Sequence, residues 1–241
     1  MIDTATFTCS FGADSKKSKS SVQTEDVLIS EDLQRCLSKA DWGALIDLLD
    51  SLGDSADSKL SSDSAMNFGL CTGSNIVHAI CAYDAPIEIV RTILEVCPGM
   101  TSERDCFDQT PLHVAVKRAS VGTSPACIRA LLSQYPAAAC MQDRNGMTPL
   151  MLACGNMRRV EFSGWSRQRS SYTDSLVATI RVLALSAPRA IVIEDENGRT
   201  AVEHALFSGV PESGFLLLQR VSRDVRSKAW QNKAGNEARL E

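Results

Sequence analysis

The chain has 241 residues, of which 25 are Lys or Arg and 29 are Asp or Glu, so its formal net charge is −4. This acidic balance argues against a general nucleic-acid-binding protein, which would carry a basic excess. Hydrophobic residues make up 44% of the chain and aromatic residues only 5%, which favours short aliphatic helices, and no run reaches the roughly 18 apolar residues that a membrane span needs.

The N-terminal part divides into a polar tail and a pair of helices. Residues 1–28 are rich in Ser, Thr and Lys, so they bury too little apolar surface to offset ordering and are predicted to be a disordered tail. Apolar residues then recur at helical spacing. Ser30 is the predicted N-cap of a first helix, and a tight turn at Asp41-Trp42-Gly43 is predicted to lead into a second. Residues 50–73, dominated by Ser, Asp and Gly, predict an irregular connection.

Three later stretches repeat one pattern at fixed offsets. In each stretch an Asp follows a Pro by seven residues and a Thr follows the same Pro by twelve. The prolines are Pro98, Pro136 and Pro188, the aspartates Asp105, Asp143 and Asp195, and the threonines Thr110, Thr148 and Thr200. Such self-similarity predicts a stack of repeated units, which offers a long surface to a partner and, by itself, no pocket for chemistry.

Each part of the pattern has a structural role. The predicted helix N-caps are Asn75, Thr110, Thr148 and Thr200. Pro111 and Pro149 suit the first helical position, where a missing N–H costs nothing. Apolar residues at i, i+3 and i+4 give each helix a buried stripe, and the prolines of the pattern end the second helix of each pair. Asn145-Gly146 and Asn197-Gly198 predict projecting turns.

A pair of helices followed by a projecting turn, with Thr-Pro-Leu-His at 110–113 opening the next unit, resembles the ankyrin repeat. The motif is nearly complete at 148–151 and weaker at 75–78 and 200–203. The resemblance implies an all-α fold, an α-solenoid of stacked helix-turn-helix units with projecting β-hairpin-type loops. The implied units lie at about 30–60, 72–104, 105–142, 143–194 and 195–222, within a repeat domain of residues 29–222, and residues 223–241 would form a C-terminal capping helix or tail.

The chain departs from a regular 33-residue ankyrin unit in two ways. Extra residues fall between the paired helices, at about 119–125 and 156–175, and are expected to bulge as loops that leave the stack intact. Asp108 replaces the turn glycine of its unit, so we expect that turn to be distorted.

The sequence predicts no enzyme, no cofactor and no metal site. His78 and His113 occupy the motif position at which the resemblance implies structural hydrogen bonds to backbone, and His204, one residue out of register, is expected to face the groove or solvent. The nine cysteines form no CxxC pair, and the chain begins without signal-peptide character. Free thiols in a reducing, intracellular compartment, cytoplasmic or nuclear, are therefore predicted.

The resemblance implies a protein–protein interaction module, an adaptor or scaffold with no small-molecule substrate. The partner-binding residues implied by the motif register are Phe107, Gln109, Lys117, Arg118, Arg144, Met147, Glu196 and Arg199. The insertion at 156–175 adds Trp165, Arg167 and Arg169, as either a docking loop or a passive loop. Two alternatives stay open: substrate recognition within a ubiquitin ligase or another multi-chain enzyme, and, more weakly, RNA binding through the insertion. Membrane partners are disfavoured.

Overall fold

The computed structural model describes residues 22–53, 70–118, 124–156 and 169–237. All regular secondary structure in these ranges is helical. The α-helices are α1 (Val22–Lys39), α2 (Trp42–Leu52), α3 (Ile76–Ala82), α4 (Ile87–Val96), α5 (Pro111–Arg118), α6 (Pro125–Gln134), α7 (Pro149–Gly155), α8 (Arg169–Ser186), α9 (Ala201–Ser208) and α10 (Glu212–Glu237). Short 3₁₀ helices span Pro98–Ser102, Pro136–Cys140 and Pro188–Val192.

The predicted N-caps Asn75 and Thr148 are confirmed, whereas the Thr200 hydroxyl accepts no helix N–H and donates to Glu203 Oε2 at 2.8 Å instead. The Asn75 side-chain oxygen accepts the N–H of His78 at 3.0 Å, and the Thr148 hydroxyl oxygen accepts the N–H of Met151 at 3.3 Å. Pro149 is the first residue of α7. These contacts satisfy N–H groups that have no partner within the helix.

The prolines of the repeated pattern mark the ends of the second helices, as predicted. One residue separates each second helix from its proline, and that residue's N–H still bonds back into the helix. The bonds run from Cys97 to the Ile93 carbonyl, from Tyr135 to that of Leu131 and from Ala187 to that of Leu183, at 2.8 to 3.0 Å. Proline then begins a 3₁₀ turn, because its ring cannot continue the α-helical hydrogen-bond ladder.

From α3 to α10 the helices stack as an all-α solenoid with two layers. The first helices of the pairs, α3, α5, α7 and α9, contact one another in chain order, and the second helices, α4, α6, α8 and α10, do the same. One continuous apolar core lies between the layers. It includes Ile76, Leu112, Leu150 and Ala201 from the first helices and Ile93, Ile128, Ile180 and Leu218 from the second.

The first two helices of the described chain begin at other residues than the sequence predicted. Helix α1 begins at Val22, so Ser30 lies inside it and is not an N-cap. The turn before α2 lies at Ala40, which has a φ of 54°, and Asp41, whose side chain accepts the N–H of Ala44 at 3.1 Å. Asp41 is therefore the cap, and the predicted turn residue Trp42 is already helical.

Two further predictions concern segments near the chain ends. Residues 22–28 of the predicted tail belong to α1, and residues 1–21 lie outside the described residues. At the other end, 223–237 continue the second helix of the last pair, within the 26-residue α10. No helix in the described ranges is both long and apolar enough to cross a membrane.

Candidate functional site

The turns that precede α5, α7 and α9 are built around the repeated aspartate. One oxygen of Asp143, Oδ1, accepts the N–H groups of Asn145 and Met147, both at 3.0 Å. The N–H of Asp143 returns to the Met147 carbonyl at 2.9 Å and closes the turn. Asp105 and Asp195 make the same three bonds, at 2.8 to 2.9 Å. Each carboxylate thus fixes the shape of its turn.

All three turns need one residue with a left-handed backbone. Gly146 and Gly198 supply it with a φ of 71° each, and Asp108 supplies it with a φ of 58°. The N–H of Asp108 bonds to the Asp105 carbonyl at 2.9 Å, as glycine does in the other turns. The expectation that Asp108 distorts its turn is therefore wrong, because Asp tolerates this conformation better than most residues.

Neighbouring turns are joined through their backbones into one row. The N–H of Arg144 donates to the Phe107 carbonyl at 3.0 Å, and the N–H of Glu196 donates to the Asn145 carbonyl at 3.4 Å. The spacing is tight at Gly146, where a Cβ would lie only 2.7 Å from the Glu196 nitrogen. The row is therefore closely packed.

Side chains add a second set of links between the same turns. The Arg104 guanidinium donates to the Gln142 carbonyl at 3.1 Å. Gln142, which holds the equivalent position one turn later, donates its amide to the Glu194 carbonyl at 2.8 Å. Each turn is thus held to the next by backbone and side chain together.

Two arginine–aromatic pairs stand on the exposed side of the row. The Arg144 guanidinium carbon lies 5.9 Å from the centre of the Phe107 ring, and that of Arg199 lies 5.3 Å from the centre of the Phe207 ring. Both distances suit a cation–π contact. Phe107 is 41% exposed and Phe207 62% exposed, so both rings can still contact another molecule.

Two buried histidines tie first helices to the next turn. Nε2 of His78 lies 2.9 Å from the Gln109 carbonyl, and Nε2 of His113 lies 3.2 Å from that of Met141 and 3.3 Å from that of Met147. Only an N–H can bond to a carbonyl oxygen, so Nε2 carries the proton. Burial lowers the pKa of both, that of His113 to about 4, and both rings are neutral at pH 7.

Residues 77–162 match the family model described as ankyrin repeats, in three copies. The chain contains ankyrin repeats. Among solved structures, the chain is similar to the crystal structure of EF0377, an ankyrin repeat protein, at 16% sequence identity and a TM-score of 0.49, over 78% of this chain and 77% of that one. No curated protein matches the chain.

Most of the implied partner-binding residues lie at the surface of the helical stack. Those that are exposed are Phe107, Arg118, Arg144, Glu196 and Arg199, and those that are half-buried are Lys117 and Met147. Gln109 differs, because its side chain is buried and its amide donates to Asp143 Oδ2 at 3.1 Å. We therefore place Gln109 among the residues that hold the turns together.

The insertion between α7 and α8 is only partly described. Trp165 and Arg167 lie outside the described residues. Arg169 is the first residue of α8, which takes in the last part of the segment 156–175. Phe207 is exposed but was not among the partner-binding residues implied by the sequence. It lies on α9, away from the buried stripe of Ala201 and Ala205, and this position in the helix could have indicated its exposure.

The prediction that His204 faces the groove or solvent is wrong. Its Nε2 lies 2.9 Å from Asp195 Oδ2, and the side chain is only 16% exposed. His204 lies one residue beyond the usual motif position of the histidine. From there its ring points to the carboxylate of Asp195, in the turn that precedes α9. Burial raises the pKa of Asp195, but the hydrogen bonds from the Arg199 N–H and from His204 outweigh it, and the pKa is lowered overall.

The described ranges of the chain hold no group of His, Cys, Asp or Glu that could bind a metal ion. The eight cysteines in those ranges are free thiols. Burial raises the pKa of Cys81 and raises that of Cys154 to about 12, so these two thiols are protonated and pack as apolar residues. Ankyrin repeats are typically non-catalytic.

Proposed function

We propose that this chain is a non-catalytic binding module, an adaptor or scaffold, that captures a partner protein on its row of turns and the adjoining first helices. Ankyrin repeats are generally protein–protein interaction modules. The observation that carries the proposal for this chain is the pair of exposed arginine–phenylalanine contacts, whose arginines stand on turns that are hydrogen-bonded to one another.

The turns suit binding because they are held in shape before a partner arrives. Each carboxylate fixes two backbone N–H groups of its own turn, and each turn is bonded to the next. Little backbone freedom is lost when a partner docks on such a surface, so more of the contact energy appears as affinity.

The side chains on this surface also suit a partner that presents anionic groups. Arginine and aromatic residues are enriched at the sites that dominate binding energy. The Arg144 and Arg199 side chains are exposed, and the carboxylate of Asp108 lies 4.0 Å from Arg144 Nε, a long and exposed contact. Guanidinium groups bind carboxylates and phosphates through paired hydrogen bonds, so we expect the partner to carry such groups.

The test is capture of partners by the full chain and two charge-reversal variants. Arg144→Glu with Arg199→Glu reverses the charge of the two turn arginines that contact the phenylalanine rings. Arg91→Glu with Arg129→Glu makes the same change of charge on exposed residues of α4 and α6. Proteins recovered with the wild-type chain are identified by mass spectrometry, and the melting temperature of each variant is measured.

We expect the turn variant to lose the proteins that the wild type captures, while the helix variant keeps them and both melt as the wild type does. Equal losses in the two variants, or a lower melting temperature of the turn variant alone, would contradict the proposal. Recovery of catalytic subunits with the wild type would support the narrower role of a recognition subunit in a multi-chain enzyme. Steeply salt-dependent capture of RNA would favour the RNA alternative instead.

A further inference from the structure

Two cysteines lie on adjacent turns at the N-terminal side of the row. Cys71 belongs to the turn before α3, and Cys106 belongs to the turn built on Asp105; both are half-buried. The N–H of Cys106 donates to the carbonyl of Thr72 at 2.8 Å. At Gly73, a Cβ would lie 3.3 Å from the Arg104 carbonyl oxygen. The two turns therefore touch directly, with the cysteines on facing segments.

The Cys71 thiol contacts polar groups of the next turn. Its Sγ lies 3.2 Å from Asp105 Oδ2 and donates to it, and it lies 3.4 Å from the hydroxyl of Ser74. Burial raises the pKa of Cys71 to about 12, against a lowering by Ser74, and hydrogen bonds with Cys106 and Asp105 raise it further. Cys71 therefore holds its proton at neutral pH.

We propose that Cys71 and Cys106 form a reversible intramolecular disulfide when the chain meets a low-molecular-weight disulfide such as oxidised glutathione. A disulfide requires two Cβ atoms that approach within a few ångströms. Each cysteine takes part in one of two direct contacts between the facing segments, the hydrogen bond from the Cys106 N–H to Thr72 and the contact of Cys71 Sγ with Asp105, and these contacts place the two cysteines side by side. The inference stands independently of the proposed function, since it concerns thiol chemistry alone.

The reaction runs in two exchange steps. Cys106 gives up its thiol proton to water as its sulfur attacks one sulfur of oxidised glutathione, which breaks the glutathione S–S bond, forms a mixed disulfide and releases one glutathione thiolate. Cys71 is the poorer first nucleophile, because its thiol is hydrogen-bonded to Asp105 and holds its proton. The Cys71 sulfur then attacks the Cys106 sulfur and breaks the mixed disulfide, while the Cys71 proton passes through Asp105 Oδ2 to the departing second glutathione. Two thiols are oxidised to one disulfide, and one molecule of oxidised glutathione is reduced to two thiols.

The disulfide should be easy to reduce again. Closing it removes the hydrogen bond that Cys71 donates to Asp105, so Oδ2 of this buried carboxylate loses that partner. Loss of this hydrogen bond destabilises the oxidised form, so the reduction potential of the Cys71–Cys106 disulfide should be higher than that of an unstrained structural disulfide. The bond would also join the turn that carries Phe107 to the turn before it.

The test incubates the full wild-type chain with oxidised glutathione and maps its peptides without reduction. We expect one main cross-link, between Cys71 and Cys106, with loss of two hydrogen atoms and full reversal by reduced glutathione. Cys81 and Cys127 provide the internal control, because both are buried, at 4% and 5% exposed. They should stay unlinked.

Two variants test the order of the steps. Cys71→Ser should accumulate glutathione on Cys106, since no second thiol is there to release it. Asp105→Asn keeps an oxygen for the turn but cannot take up the Cys71 proton, so the mixed disulfide should persist longer than in the wild type. A wild-type chain that retains glutathione on Cys106, or that links Cys81 to Cys127 and leaves Cys71 free, would overturn the proposal.

Discussion

The stability of the stack should depend on pH through His113. This histidine is buried, and its pKa is lowered from 6.5 to about 4 chiefly by that burial, with Lys117 acting in the same direction and Asp143 and two backbone carbonyls opposing it. The unfolded chain therefore binds a proton more readily than the folded chain. The stabilisation is present above pH 6.5 and is lost as the pH falls towards 4.

The size of the effect follows from the pKa difference. One pKa unit corresponds to about 1.4 kcal/mol, so the folded state should lose about 2 kcal/mol by pH 5 and about 3 kcal/mol by pH 4. The perturbation is His113→Gln, which removes the titrating group, and the assay is urea unfolding of both chains followed by circular dichroism from pH 7.5 to 4. Carboxylates and His78 titrate in both chains, so their effects cancel in the difference.

We expect the stability advantage of the wild type over His113→Gln to stay nearly constant from pH 7.5 to about 6.5 and to shrink as the pH falls from there to 4. A difference that is independent of pH would mean that His113 is not buried as a neutral ring. A difference that grows on acidification would mean that the folded state favours the charged ring, and the reasoning from burial would be refuted.

Two pairs of substitutions test the turns and the core, with unfolding free energy as the measurement. Gly146→Ala should destabilise the chain by about 2 to 3 kcal/mol, because φ is +71° and the added Cβ would meet the Glu196 nitrogen. Gly198 has the same φ but open space around it, so Gly198→Ala should destabilise the chain by only about 1 kcal/mol. Equal losses of stability would contradict the close packing of the turns. Thr179 Oγ1 is buried without a hydrogen-bond partner, so Thr179→Val should stabilise the chain by about 1 kcal/mol. Thr148→Val removes an N-cap and should destabilise it by about 1 kcal/mol; the same sign for both threonine variants would refute these two assignments.

The sequence predicted the stack because its signals are local. Thr148 and Pro149 mark a helix start through their own chemistry, and apolar spacing marks a buried stripe, so neither needs knowledge of the neighbouring unit. The fixed position of Asp143 after Pro136 pointed to the turn, although its carboxylate's role in fixing two N–H groups appeared only in the structure.

The errors arose where the outcome depends on contacts between units or on competition between caps. Gln109 precedes a helix start like an exposed turn residue, but the next turn covers it and Asp143 accepts its amide. Ser30 can cap a helix, yet α1 begins at Val22 and passes through it, because Ser also fits inside a helix. His204 was misplaced because register alone does not show that Asp195 Oδ2 lies within reach.

The measurement that tests the central claim most directly is the affinity of a captured partner for purified wild-type and variant chains by calorimetry. If the row of turns is the binding surface, Arg144→Glu with Arg199→Glu should weaken binding tenfold or more, corresponding to at least about 1.4 kcal/mol. Arg91→Glu with Arg129→Glu should stay within about twofold of the wild type, which is under 0.5 kcal/mol. Binding that survives the turn variant and fails in the helix variant would place the partner on the second helices and contradict the account.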